Sequence, residues 1–281
     1  MKKYRPLVIP YVVWMSVFIV VPMLLIVFYA FTTVGNQMIP FQFSLINFKK
    51  FFDPVFLKVL LDSFRIAAIT TAICLLVGYP LSYFISRRSE RMQTLLILLV
   101  TIPMWINMLV RTYAWISILS DKGLINSFLA LFGIAPLKMM NTDFAVILGM
   151  VYNFLPFMIM QIYNVLAKMD ESLIEASYDL GANRFETFRK IVFPLSLSGV
   201  ISGITLVFLP SLSTFVIPQF LGGGSYVLIG NLIENQFINI GDYNFGSAIS
   251  LIMAVLIMLS MHFANKFDRE YDESKPKGGK L

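Results

Sequence analysis

Three groups of residues in this chain have types and spacings that suit chemistry, and in each the chemistry is recognition rather than bond making. The first is Glu175, Ala176, Ser177, Asp179, Gly181 and Ala182, in a polar stretch (168–194) between two long apolar runs. Read as a helix, 171–180 places Leu173, Ala176 and Leu180 at i, i+3 and i+7, with Glu171, Glu175 and Asp179 on an adjoining stripe. Gly181 can adopt positive φ and end that helix cheaply. Asn183 and Glu186 have capping-box spacing for a second helix over about 184–193, carrying Phe185, Phe188 and Val192. A hairpin that only spaces two spans and a docking element for another protein both satisfy this pattern.

The second group is Trp105, Asn107, Trp115, Tyr152, Asn153, Ser202 and Thr205, which lie inside apolar runs. Aromatic faces and amide or carbonyl oxygens can surround an ammonium group in place of water. The third is Pro210, which removes a backbone hydrogen bond and predicts a gating kink, with Ser211, Ser213 and Thr214 able to satisfy the freed groups. Nothing has metal-ligand spacing, a nucleophile–base pairing or a phosphate-binding glycine loop. Neither a catalytic nor a metal site is expected, and Cys74, the single cysteine, reads as a small buried apolar residue.

A lipid bilayer must position these groups. Of 281 residues, 58% are hydrophobic and 14% charged, and the mean hydropathy is +0.77; soluble domains carry about a quarter charged residues. Six runs of about 20 or more mostly apolar residues predict membrane spans near 7–31, 64–86, 94–119, 143–167, 195–220 and 244–265. In hydrocarbon the backbone must satisfy its own hydrogen bonds, so each span is a helix and the protein is all-α. The first run has a basic start but is too long for a signal core and lacks a small-residue cleavage site, so a retained helix is expected.

Basic residues set the orientation. With the N-terminus inside, the inner segments hold Lys2, Lys3 and Arg5; Arg87, Arg88 and Arg91; Lys168, Arg184, Arg189 and Lys190; and Lys266, Arg269, Lys275, Lys277 and Lys280. The outer segments hold only Lys49, Lys50, Lys58, Lys122 and Lys138. Both termini and the 168–194 connector are therefore expected in the cytoplasm. The net charge of +6 is spread over separate segments, which argues against a nucleic-acid surface. The organisation predicted is one membrane domain over 1–267 and a flexible, charged tail over 268–281. Connector 32–56 is expected to lie along the interface, 120–142 to hold a short helix between breaks, and 221–239 a short amphipathic piece.

Inside the spans, Met104, Asn107, Arg111 and Trp115 share a face if the third span is one helix. Arg111 is expected to snorkel or to pair with Asp121 or Asp143. Asn153, Gln161 and Asn164 share a face of the fourth span, and Ser198, Ser202 and Thr205 one of the fifth, where Gly199 and Gly203 give a small-xxx-small surface. Helix-to-helix hydrogen bonding and close packing explain these stripes as well as a solute path does. No Asp or Glu lies deep in a span; a carrier working alone on an ion gradient usually needs such a relay. Energy is therefore expected to enter from outside the membrane domain.

Glu175-Ala176-Ser177, three residues, Gly181, nine residues, then Ile191-Val192-Phe193-Pro194 resembles the E-A-A-x3-G-x9-I-x-L-P signature of permease subunits of bacterial ABC importers. Ser177 and Phe193 are the departures. Ile102 to Tyr113, Ile229-Gly230-Asn231-Leu232-Ile233, Gln236 to Ile240 and Phe245-Gly246 are similar to the permeases of spermidine/putrescine importers, and the similarity runs from about 15 to 265. The resemblance implies a six-helix type I importer (MetI-like) fold in the bacterial cytoplasmic membrane. It implies a second homologous permease, an extracellular binding protein, and a cytoplasmic ATPase dimer that docks on 168–194 through Glu175, Ala176 and the Gly181 turn. ATP and Mg would sit on that ATPase, and this chain would bind no cofactor. Import of another small solute is the alternative.

Overall fold

Helix stops in this chain are set by a few prolines, asparagines and glycines as much as by apolar periodicity. The computed structural model describes residues 5–36, 39–224 and 226–274. In chain order the elements are α1 (Arg5–Met15), a π-helical turn (Ser16–Val20), α2 (Val21–Ala30), β1 (Thr32–Asn36), β2 (Ile39–Phe43), α3 (Ile46–Phe51), α4 (Pro54–Ser86), α5 (Glu90–Trp105), α6 (Met108–Leu119) and α7 (Leu124–Ala130). Then come α8 (Asp143–Leu166), α9 (Ser172–Asp179), α10 (Arg184–Thr187), a π segment (Phe188–Val192), α11 (Phe193–Leu195), α12 (Leu197–Ser213), α13 (Val216–Leu221), α14 (Ile229–Glu234), a π segment (Asn235–Ile240) and α15 (Tyr243–Ser274).

Among the described residues, Pro10–Ala30, Pro54–Ser86, Asp143–Leu166 and Tyr243–His262 are each long and apolar enough to cross a membrane. Two bent pairs raise the number to six: Glu90–Trp105 with Met108–Ala130, at 92°, and Arg184–Leu195 with Leu197–Ser213, at 61°. The expected helical fold with six spans holds, but the third span is not the straight helix expected over 94–119. Ile106 is extended, and Asn107 caps a new helix by accepting the Leu109 N–H at 2.8 Å. The fifth span is also interrupted. It bends at Ser196, and α12 stops at Thr214 before α13 resumes. The sharp bend is not at Pro210, which lies inside α12.

The fold separates into two units. One comprises residues 1–61 and 229–258. It contains an antiparallel hairpin, β1 on β2 with Thr32 opposite Phe43, in the connector expected to lie along the interface. Two buried asparagines fasten it: Asn47 Nδ2 donates to Thr32 O at 3.0 Å, and Asn244 Nδ2 to the same oxygen at 2.7 Å and to Tyr29 O at 3.1 Å. Lys50 pairs with Asp242 at 3.6 Å and sits over the Phe245 ring.

The other unit comprises 62–228 and 259–281. Its core is built on α8, with Met150, Met158 and Ile162 fully buried, and α12 lies along it. Small residues permit the approach. A Cβ on Gly199 would stand 2.8 Å from Gln161 O, and one on Gly203 2.6 Å from Met158 Sδ. Gly78 of α4 meets the same Met158 from another side, and Ser82 Oγ donates to Ile159 O at 2.9 Å. Thr142 caps α8 by accepting the Ala145 N–H. The short helix expected in 120–142 is α7, stitched by buried Asn126 to Ser120 O and to both backbone groups of Leu137. Helix α15 continues through Ser274, so residues 268–274 of the expected flexible tail are helical, and 275–281 lie outside the described residues.

Candidate functional site: the 168–194 loop and the polar residues of the spans

Local sequence builds the loop as its pattern predicts. Helix α9 ends in a Schellman turn: the Gly181 N–H donates to Tyr178 O at 2.9 Å and the Ala182 N–H to Ser177 O at 3.0 Å. Gly181 has φ of +81°, which only glycine adopts cheaply. The capping box forms in both directions, with the Glu186 N–H on Asn183 Oδ1 at 2.9 Å and the Asn183 N–H on Glu186 Oε2 at 3.1 Å. The Asn183 N–H and then the Lys190 charge hold the Glu186 carboxyl below its ordinary range.

Glu175, Ala176, Asp179 and Gly181 are exposed and Ala182 is half-buried. Ser177 has a different position: it is buried, and its hydroxyl meets Thr187 Oγ1 at 2.8 Å and donates to Ile174 O. It ties α9 to α10 instead of facing outward. The outward face is more apolar than the charge stripe suggests. Leu180 is 89% and Phe185 70% exposed, leaving large apolar surface uncovered on an otherwise polar element. Beside them, Tyr83, Tyr178, Arg184, Phe185 and Phe188 line a cleft of about 490 Å³. At the root of the loop, Arg87 Nη1 stands 3.8 Å from Glu171 Oε1.

The polar residues of the spans are only partly brought together. Trp115 packs edge-on against Tyr152, ring centroids 5.4 Å apart, where α6 meets α8. Asn153, next in sequence, is buried and donates to Gly149 O at 2.8 Å. Met104 and Trp105 lie on α5, across the 92° bend from α6, which Asn107 caps and which carries Arg111 and Trp115, so the expected single face through Met104, Asn107, Arg111 and Trp115 is broken. Trp105 is 79% exposed. On α12, Ser202 is half-buried and Thr205 turns its hydroxyl back to Ile201 O at 2.9 Å. Of the two partners expected for Arg111, Asp121 and Asp143, the second is taken: Asp143 binds Arg65 at 2.9 Å, and Asp62 flanks the same guanidinium at 3.7 Å. Arg111 Nε and Nη1 are buried without a partner among the described residues. Among the described residues no three His, Cys, Asp or Glu side chains are grouped to hold a metal.

A family model described as the binding-protein-dependent transport system inner membrane component matches residues 75–272, well over half the chain. The chain belongs to this family. It is thus a multi-pass inner-membrane component of a transport system and not an enzyme; ATP hydrolysis belongs to a separate subunit. It is 38% identical over 264 residues to the spermidine/putrescine transport system permease protein PotB of Salmonella typhimurium (strain LT2), covering 92% of each chain. It is also 38% identical over 258 residues to PotB of Escherichia coli (strain K12), covering 91% of this chain and 94% of the relative. A solved bacterial ABC transporter involved in import of the acidic polysaccharide alginate superposes with a TM-score of 0.75 at 17% identity, covering 95% and 94% of the two chains. A chain of the MetNI methionine ABC transporter superposes with 0.56 at 17% identity, covering 76% and 95%. These two likenesses concern the fold.

Within this importer component, two features escaped sequence reasoning. The Arg65–Asp143 pair joins residues 78 positions apart, and no local pattern links them. Tyr79 of α4 and Ser196 at the bend are likewise hydrogen-bonded, at 2.7 Å, across 117 positions. The sequence hint was an arginine inside an apolar run and a tyrosine further along the same run.

Proposed function

We propose that this chain is one permease subunit of an ATP-driven importer for polyamines such as spermidine and putrescine. It forms half of a translocation pathway whose other half is a second, homologous permease. An extracellular binding protein delivers solute, and a cytoplasmic ATPase dimer, which carries the ATP and Mg, docks on 168–194. Both termini face the cytoplasm in this reading, and the chain binds no cofactor of its own.

The observation that carries the proposal is the loop itself. Two capped helices, locked at a glycine turn, present Glu175, Ala176, Asp179, Leu180 and Phe185 with none of the chain's own described residues covering Leu180 or Phe185. Exposed large apolar side chains on a rigid polar element are what a partner's cleft buries. ATP-driven closure of the docked dimer would pull the loop, and the spans rooted in it would switch between outward- and inward-open states. The polyamine assignment is supported by the two 38%-identical relatives and by the Trp115–Tyr152 pair, whose faces suit ammonium groups. Trp105, Asn107, Asn153, Ser202 and Thr205 are assigned to the same path, Pro210 to its gate, and carboxylates to the partner permease.

Arg111 favours a second reading. Its unpartnered guanidinium nitrogens suit an anionic solute better than a cationic one. Reconstitution of the full complex decides between them: ATP-dependent uptake of labelled spermidine is expected, unaffected by excess small anions. Gly181→Pro and Glu175→Lys should leave insertion intact and abolish uptake. Normal uptake in both variants would remove the docking role, and competition by anions alone would remove the polyamine assignment.

A further inference from the structure

The loop reaches the fifth span through a bend, and a bent backbone is a poor rod. The helical stretch Arg184–Leu195 meets Leu197–Ser213 at 61°, so covalent continuity alone would let loop motion dissipate at Ser196. Side chains bridge that weakness. Ser196 is fully buried at the corner. Its Oγ lies 2.7 Å from Tyr79 Oη, a contact in which either hydroxyl can donate, and 2.9 Å from Phe193 O, to which it can also donate. The Tyr79 ring packs against Phe188 and Phe193, with centroids 5.7 and 5.8 Å away, and Tyr83 one turn on packs against Phe188 at 5.9 Å. Span α4 is in turn fixed to α8 by the Ser82–Ile159 hydrogen bond and by Gly78 against Met158.

We infer that Tyr79 and Ser196 are the positioning residues that couple the docking loop to the spans. The clasp carries loop motion past the bend into α4, and through α4 into α8, so that the loop and the inner half of three spans move as one body. This rests on the importer reading above. Sequence assigns Tyr79 no role, and the contact is neither on the docking face nor among the residues assigned to the solute path.

Tyr79→Phe is a clean perturbation. It removes one hydroxyl while Ser196 can still donate to Phe193 O, so no buried donor is orphaned. Ser196→Ala takes the same bond from the other side, and carries the test should Tyr79→Phe fail to assemble. In the reconstituted complex with ATPase and binding protein, ATP hydrolysis should persist in each variant while spermidine taken up per ATP falls about tenfold, an ordinary size for a lost coupling. The double variant should be no worse than Ser196→Ala alone, because the Tyr79–Ser196 bond is lost in all three variants and the Ser196–Phe193 bond in both that lack the Ser196 hydroxyl. An unchanged uptake-to-hydrolysis ratio in Tyr79→Phe, or single losses that multiply in the double variant, would overturn the inference.

A solute-independent arm separates this from failure of the importer reading. Spin labels at Leu76 and Arg189, both exposed and neither on the docking face, should keep one narrow separation with and without ATP in the unaltered protein, and the separation should shift or broaden on ATP binding in Tyr79→Phe. A separation that shifts equally in both proteins refutes the clasp. If the unaltered complex transports no spermidine, the importer reading fails and the label distances still decide the clasp.

Discussion

Gly199 gives the sharpest test of how the helices are packed. A methyl group there would meet Gln161 O at 2.8 Å, Val165 Cγ2 at 3.0 Å and Ile162 Cα at 3.1 Å. Two of these three are backbone atoms, which cannot rotate away, so α12 and α8 must separate by about half an ångström and lose part of their dispersion contact along the seam. Overpacking of this kind costs about 1–3 kcal/mol. Gly203, one turn along the same seam, provides the control. Its added methyl would meet first Met158 Sδ at 2.6 Å, while Met158 O and Cα stand at 3.5 and 3.6 Å. A thioether with several rotatable bonds can move aside, and the expected loss is about 1 kcal/mol or less. Thermal unfolding of the purified permease in detergent reads the difference. A loss of about 2 kcal/mol lowers Tm by roughly 4–8 °C for a chain of this size, so Gly199→Ala should melt clearly below Gly203→Ala. Equal melting temperatures, or the reverse order, would show that the spans yield at Gly199 and would refute the close-packed seam.

Two further outcomes follow from the geometry. The Glu186 carboxyl is held below its ordinary range, so its contribution to the capping box is fully present above the usual glutamate pKa of about 4.3 and is lost as pH falls through the lower folded value. The melting difference between the unaltered protein and Glu186→Gln should therefore be present at neutral pH and vanish on acidification; a difference independent of pH would contradict this. Asn126→Leu removes three hydrogen bonds at once and strands the Leu137 N–H, for about 1–3 kcal/mol. Limited proteolysis should then cut the 120–137 connector well before the other connectors between spans, and unchanged resistance would count against Asn126 as its fastener.

The apolar runs, the two loop helices and the Gly181 turn were legible in the sequence because their causes are local. A run of about 20 apolar residues has one stable state in hydrocarbon, and a capping box or Schellman turn closes within six residues. The break at Asn107 had a local signal too, an asparagine shortly after Pro103, yet uninterrupted hydropathy across 94–119 concealed it. What tertiary structure decided was partnership. Periodicity tells which residues share a face but not which face meets them. It could not place Ser177 against Thr187, give Asp143 to Arg65 in place of Arg111, or join Tyr79 to Ser196. Helix ends answer to hydrogen bonds made within a turn, whereas contacts between helices depend on how all the spans pack together, and no short window of sequence contains that information.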